Sequence, residues 1–146
     1  KPAPDTIPWD TKAAGLYMIN TLSKHEAEKD GFNDSMMLDS DGYVAEATGA
    51  NVFFIDENKK EIHTPIPDCF LDGITRRTIM EIAKDKGFNI IERKMNLDEL
   101  NNFDACFLTG TAAEVTPVSQ IGDYKFKVTP TIGELFDKYL EIVNRT

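Results

Sequence analysis

Gly42–Phe54, GYVAEATGANVFF, decides how the chain is read. With a period of two, Tyr43 and Ala45 point one way and Val44 and Glu46 the other, so a carboxylate closes an otherwise apolar strand. Ala47, Thr48 and Gly49 make a turn, and Asn51–Ile55 reads as a second, largely apolar strand. A carboxylate drawn into a core is costly unless a cation or a hydrogen-bond donor meets it there. Glu46 therefore either has such a partner, or stays on an exposed face or caps a neighbouring backbone, as most glutamates do.

Around this stretch the composition is that of one globular domain. The 146 residues are 41% hydrophobic, enough for a core without disulfides or a structural metal. A net charge of −9, from 25 acidic and 16 basic residues, argues against nucleic acid or an anionic membrane as a partner. Cys69 and Cys106 lie far apart without CxxC or ligand-spaced His, which disfavours a metal site and fits a reducing, cytoplasmic setting. No run reaches the ~18–20 apolar residues of a membrane span. The opening KPAPDTIPW, with three prolines, reads as an interdomain connector over residues 1–9, ahead of a domain over 10–146.

In chain order, Asp10 or Thr11 is expected to cap a helix that runs to Lys29 and stops at Gly31. Its inner stripe is Leu16, Ile19, Leu22 and Ser23, and Lys12 falls on that stripe. An inward lysine at a helix N-terminus favours the neutral, nucleophilic amine; the alternative is a lysine that snorkels outward. Ser35–Asp39, the two strands of the opening stretch and Glu61–Thr64 predict a four-stranded antiparallel meander, with His63 a partly buried strand residue. Ile74–Lys86 predicts a helix with Ile79, Ile82 and Ala83 inward. Gly73, Thr75 and Arg76 at its start suit either an anion cradle or ordinary capping. A strand over Asn89–Lys94, a capping box at Asn96 and Glu99, a short helix over Leu97–Asn101 and a buried strand over Ala105–Leu108 follow. The small residues Thr109–Ala113 then make either a tight turn or a place where a ligand approaches backbone amides. Thr129 and Pro130 open a terminal packing helix along Ile132, Leu135, Phe136, Tyr139, Leu140 and Val143.

An inward lysine, a buried carboxylate, a helix start and a small-residue turn together suit pyridoxal phosphate, which has an aldehyde, a ring nitrogen and a dianionic phosphate to hold. The blocks TKAAGLY, GYVAEATGANVFF, FLDGITRRTI and FLTGTAAEVTPV, in this order, resemble the C-terminal cofactor-binding domain of the class IV pyridoxal-phosphate aminotransferases, closest to the branched-chain group. The resemblance implies an α+β fold, a twisted and mostly antiparallel sheet closed by helices. It also implies transfer of the amino group of leucine, isoleucine or valine to 2-oxoglutarate with pyridoxal 5'-phosphate as cofactor, in a cytoplasmic homodimer acting on small amino acids and 2-oxo acids.

By the same resemblance, Lys12 binds the cofactor covalently and shuttles the substrate proton, Tyr17 meets the phenolic oxygen, and Glu46 meets the ring nitrogen. Leu71 lies against the ring face, Ile74, Thr75 and Thr111 hold the phosphate, and the Thr111 and Ala112 amides receive the substrate carboxylate. Ala50 stands where many relatives carry an acidic residue. The family's smaller N-terminal domain, with its arginine to the phosphate and its substrate pocket, is not represented in these blocks, so weak or no activity is expected of the chain alone. D-amino-acid aminotransferases and aminodeoxychorismate lyases share the scaffold, and a non-catalytic truncated domain is a further alternative.

Overall fold

Apolar spacing and turn residues divide the chain, in a computed structural model describing residues 1–144, into three α-helices and nine strands. A 3₁₀ turn over Ala14–Tyr17 leads into α1 (Met18–Lys29), followed by β1 (Met36–Leu38), β2 (Val44–Ala47), β3 (Asn51–Asp56) and β4 (Glu61–Thr64). Next come α2 (Ile74–Asp85), β5 (Asn89–Glu92), a 3₁₀ helix over Leu97–Asn102, β6 (Ala105–Gly110) and β7 (Glu114–Val118). The short pair β8 (Gln120–Ile121) and β9 (Tyr124–Lys125) precedes α3 (Pro130–Val143).

The central sheet has the order β5-β4-β3-β6-β7. Its pairs are antiparallel except β4 and β5, which run parallel because α2 crosses over between them. Strand β3 lies in the middle, and every residue of it is buried. The continuous apolar run follows from this position, since both faces of the strand are covered. Phe53 and Ile55 pack with Ile79, Ile82 and Ala83 of α2 and with Ile132, Leu135 and Tyr139 of α3. Val52 and Phe54 face the other way, into a cluster with Val44, Met95, Leu100, Phe103, Cys106 and Phe126. Phe53 and Phe107 are cross-strand partners whose rings stack 5.0 Å apart, 6° from parallel. The α+β fold and mostly antiparallel sheet expected from the sequence are what the chain forms.

Local chemistry explains the element ends. The capping box is made: Asn96 and Glu99 exchange side-chain-to-backbone bonds across the first turn of the 3₁₀ helix. Gly87, at φ +84°, ends α2 in the conformation that glycine tolerates best. Pro130 opens α3, although Thr129 gives no side-chain cap and its hydroxyl is buried without a partner among the described residues.

Three expectations are corrected. The first four strands are not one meander: β1 and β2 form their own two-stranded sheet, with a bulge between Met37 and Leu38. The edge of β3 that a meander would give to β2 is held by β6, and β2 meets β3 through the turn bond from Ala47 N–H to Ala50 O (2.9 Å). Secondly, no helix spans Asp10–Tyr17. The Thr11 hydroxyl bonds backward to Pro8 O (2.7 Å) and so caps nothing ahead of it. Half of the stripe drawn for that helix also faces out: Ile19 is 45% and Leu22 61% exposed, whereas Leu16 and Ser23 are half-buried and polar Asn20 is buried. Thirdly, β6 continues to Gly110, absorbing two residues of the expected small-residue turn.

Truncating Phe107 to alanine removes the ring stacked on Phe53 from a site with 0% exposure. The expected cost is about 3–5 kcal/mol, read as a lowered urea midpoint at unchanged slope.

Candidate active site

Strand β2 is buried at all four positions, and this carries the Glu46 carboxylate into the protein. It borders a cavity of about 370 Å³ between the N-terminal segment, α1, the β2–β3 turn, the loop before α2 and the end of β6. Seven of the eight residues singled out in the sequence line it: Lys12, Tyr17, Glu46, Leu71, Ile74, Thr75 and Thr111. Ala112, the eighth, is exposed and does not.

Glu46 has partners on both oxygens. The Lys1 ammonium lies 2.6 Å from Oε1, and Asn51 Nδ2 donates to Oε2 at 3.1 Å. Lys1 also reaches Asn20 Oδ1 at 3.3 Å, and Asn20 Nδ2 donates to Thr48 O at 2.6 Å, which fixes the turn after β2. Burial nevertheless dominates and holds the Glu46 carboxyl above its ordinary range, against the opposing pull of the Lys1 charge.

At the far wall, α2 begins at Ile74 with Gly73 as a cap residue that supplies no side-chain bond. The Arg77 N–H bonds to Gly73 O at 3.0 Å, so the Ile74 and Thr75 amides come before the helical ladder, where a helix leaves donors free. Arg76, expected beside an anion, is turned away from the cavity. It is 1% exposed and bonds Asp72 Oδ1 (2.7 Å), Glu92 Oε2 (2.7 Å) and Pro65 O (3.0 Å), which ties the start of α2 to the end of β5. Its task is to hold the helix start in place.

Lys12 is exposed at the mouth, in the irregular segment between the Pro8–Thr11 turn and the 3₁₀ turn. No ion pair or hydrogen bond engages its ammonium among the described residues. Of the two readings of Lys12 the outward one holds, and the lysine projects from a loop instead of a helix because Thr11 bonds backward. Cys69 also lines the cavity, but burial pushes its thiol up to about 12, which keeps it protonated. Among the described residues, no cluster of His, Cys, Asp and Glu could hold a metal ion, and no helix is long and apolar enough to cross a membrane.

Sequence reasoning missed three contributors. Asn51 carried a signal, as the one polar residue at the head of an apolar strand; Asn20 and Lys1 carried none. Thr109, noticed only within a row of small residues, lines the cavity with a buried hydroxyl that has no hydrogen-bond partner among the described residues.

The family model described as amino-transferase class IV matches residues 4–121. The chain is 44% identical over 138 residues to a probable branched-chain-amino-acid aminotransferase of Rickettsia felis, covering 94% of this chain and 47% of that protein. With the branched-chain-amino-acid aminotransferase of Pseudomonas aeruginosa it shares 38% identity over 91% of its length and 44% of the relative's. Among solved structures, the T.th. branched-chain amino acid aminotransferase complexed with N-(5'-phosphopyridoxyl)-L-glutamate superposes with a TM-score of 0.91 at 38% identity, over 98% of this chain and 49% of that one. The chain belongs to the class IV aminotransferases. It spans about half the length of the curated relatives it matches.

The raised Glu46 carboxyl sets a pH dependence. The folded chain holds that proton more tightly than the unfolded chain does, so stability from Glu46 is greatest below the unfolded value of 4.5 and falls as pH rises from there through the folded value. Glu46→Gln, neutral throughout, flattens this fall; urea denaturation of both proteins between about pH 4 and 6 checks it.

Proposed function

We propose that this chain is the cofactor-binding part of a pyridoxal 5'-phosphate-dependent enzyme that transfers the amino group of branched-chain L-amino acids to 2-oxoglutarate. The observation that carries this reading is the convergence of residues from Lys12 to Thr111 on one cavity whose buried carboxylate already holds an ammonium. The family membership and the branched-chain relatives support it.

The residues present suit that cofactor in three respects. Glu46 binds a cation inside the protein, and the Lys1 ammonium stands in for a protonated ring nitrogen. The α2 start has no side-chain cap competing for its amides, which suits a phosphate. The Thr109 hydroxyl is a buried polar group lacking a partner beside the same space.

When bound, the cofactor supplies an electron sink for the bond broken at the substrate Cα. In this reading the Lys12 amine holds the cofactor covalently and moves the proton at Cα. Glu46 would hold the ring nitrogen in its protonated form in the place Lys1 now occupies, Tyr17 would donate to the phenolic oxygen, and Leu71 would cover the ring face. The Ile74 and Thr75 amides, with Thr111, hold the phosphate. Thr111 and Ala112 offer amides to the substrate carboxylate, Ala112 from just outside the cavity wall. By resemblance, the substrate side-chain pocket and a cation for the phosphate would come from the family's smaller N-terminal domain. The chain by itself then binds cofactor but has little or no turnover, and the intact enzyme is a cytoplasmic homodimer.

Incubation with pyridoxal phosphate, borohydride reduction and mass spectrometry should place the label on Lys12. A label on Lys1, or one scattered over surface lysines with Lys12 unmodified, would sink the assignment. Trp9, the sole tryptophan, lines the cavity, so its fluorescence should fall as the cofactor is taken up.

A further inference from the structure

At the head of β3 a single amide joins separate parts of the cavity wall. Asn51 is 5% exposed, and its backbone is fixed in the sheet opposite Thr109. Nδ2 donates to Glu46 Oε2 at 3.1 Å and to the Leu71 carbonyl oxygen at 2.9 Å, so both amide protons are committed. The third contact is steric. A Cβ on Gly73 would lie 2.5 Å from Asn51 Oδ1, a distance that Cβ atoms do not adopt, so a side chain there would push the amide out of its place.

We propose that Asn51 is a positioning residue of the site, an amide clamp that orients the Glu46 carboxylate and binds the Leu71–Gly73 loop to it, making the carboxylate and the start of α2 one unit. The proposal rests on the pyridoxal phosphate reading. There, Glu46 serves the ring nitrogen and the α2 start serves the phosphate, two ends of one small, stiff molecule. Their separation must match that molecule, and the two segments are 28 residues apart in sequence, from Glu46 to Ile74. Asn51 bonds to Glu46 on one side and, on the other, to the Leu71 carbonyl of the loop that leads into α2. The charge facing Glu46 is the Lys1 ammonium. It approaches from the N-terminal segment, so it does not tie Glu46 to α2. An aspartate would keep the shape of Asn51 but lose both donors and set a second carboxylate against the first, so the amide is what the position demands.

The test compares the wild-type chain with Asn51→Ala, Glu46→Gln, the double variant and Gly73→Ala, each first shown to be folded by circular dichroism and thermal melting. Two quantities are read: the ¹³C-carboxyl titration midpoint of Glu46, and the affinity for pyridoxal phosphate from Trp9 fluorescence. Asn51→Ala should raise the Glu46 midpoint, because the ionised form loses a donor, and should weaken cofactor uptake about tenfold. In the Glu46→Gln background the same change should cost clearly less, because part of its effect runs through Glu46. Gly73→Ala, which presses on Oδ1 and leaves the amide in place, should move the Glu46 midpoint the same way; it carries the test if Asn51→Ala does not fold. An unmoved Glu46 midpoint in the folded variant, or an equal loss of uptake with and without Glu46, overturns the proposal. If the wild-type chain takes up no pyridoxal phosphate, the proposed function falls and this inference with it; if it binds and Asn51→Ala binds equally well, only this inference falls.

Discussion

The fold turns on keeping the Glu46 carboxylate inside the protein. Strand β2 has no exposed position on which to place it, so water solvates it little and neighbouring groups must compensate. Lys1 supplies the opposite charge and Asn51 a donor, while Asn20 braces the turn that follows. Together these leave the proton held more tightly than in solution, which means desolvation outweighs attraction. A buried acid that the fold only partly compensates can accept a further cation, as a cofactor-binding carboxylate must.

Arg76 meets the same constraint with the opposite result. It is more deeply buried still, but Asp72, Glu92 and Pro65 O satisfy its terminal nitrogens, leaving Nε without a partner among the described residues. Nothing in that arrangement invites a ligand, and the guanidinium serves to fix where α2 begins. One buried charge is thus nearly closed off by the protein, and the other borders open space.

Where both partners of an interaction lie close in sequence, the chain was legible. The Asn96–Glu99 capping box, the inward face of α2 and the buried runs of β3 and β6 follow from spacing alone. The separation of β2 from β3 was not, because β6 arrives from some fifty residues away to take the edge. The position of Lys12 depended on whether one threonine hydroxyl turned forward or back, a choice that composition does not encode. For the site, separated blocks identified seven lining residues, yet the groups that orient them were harder to see. Asn51 stood out only as a polar residue in an apolar run, and Lys1 acts through a contact that no periodicity describes.

The placement of Lys12 outside any helix gives the cavity two mechanical regimes. Its receiving walls belong to a sheet and a helix start locked by buried contacts, while the lysine rides on a short irregular span between two turns. Such a span contributes little packing of its own, and local opening there costs far less than opening the sheet. In the proposed reading the amine would act as a tethered arm, its reach set by chain entropy more than by side-chain packing. One residue could then serve two neighbouring atoms in turn without the walls having to move.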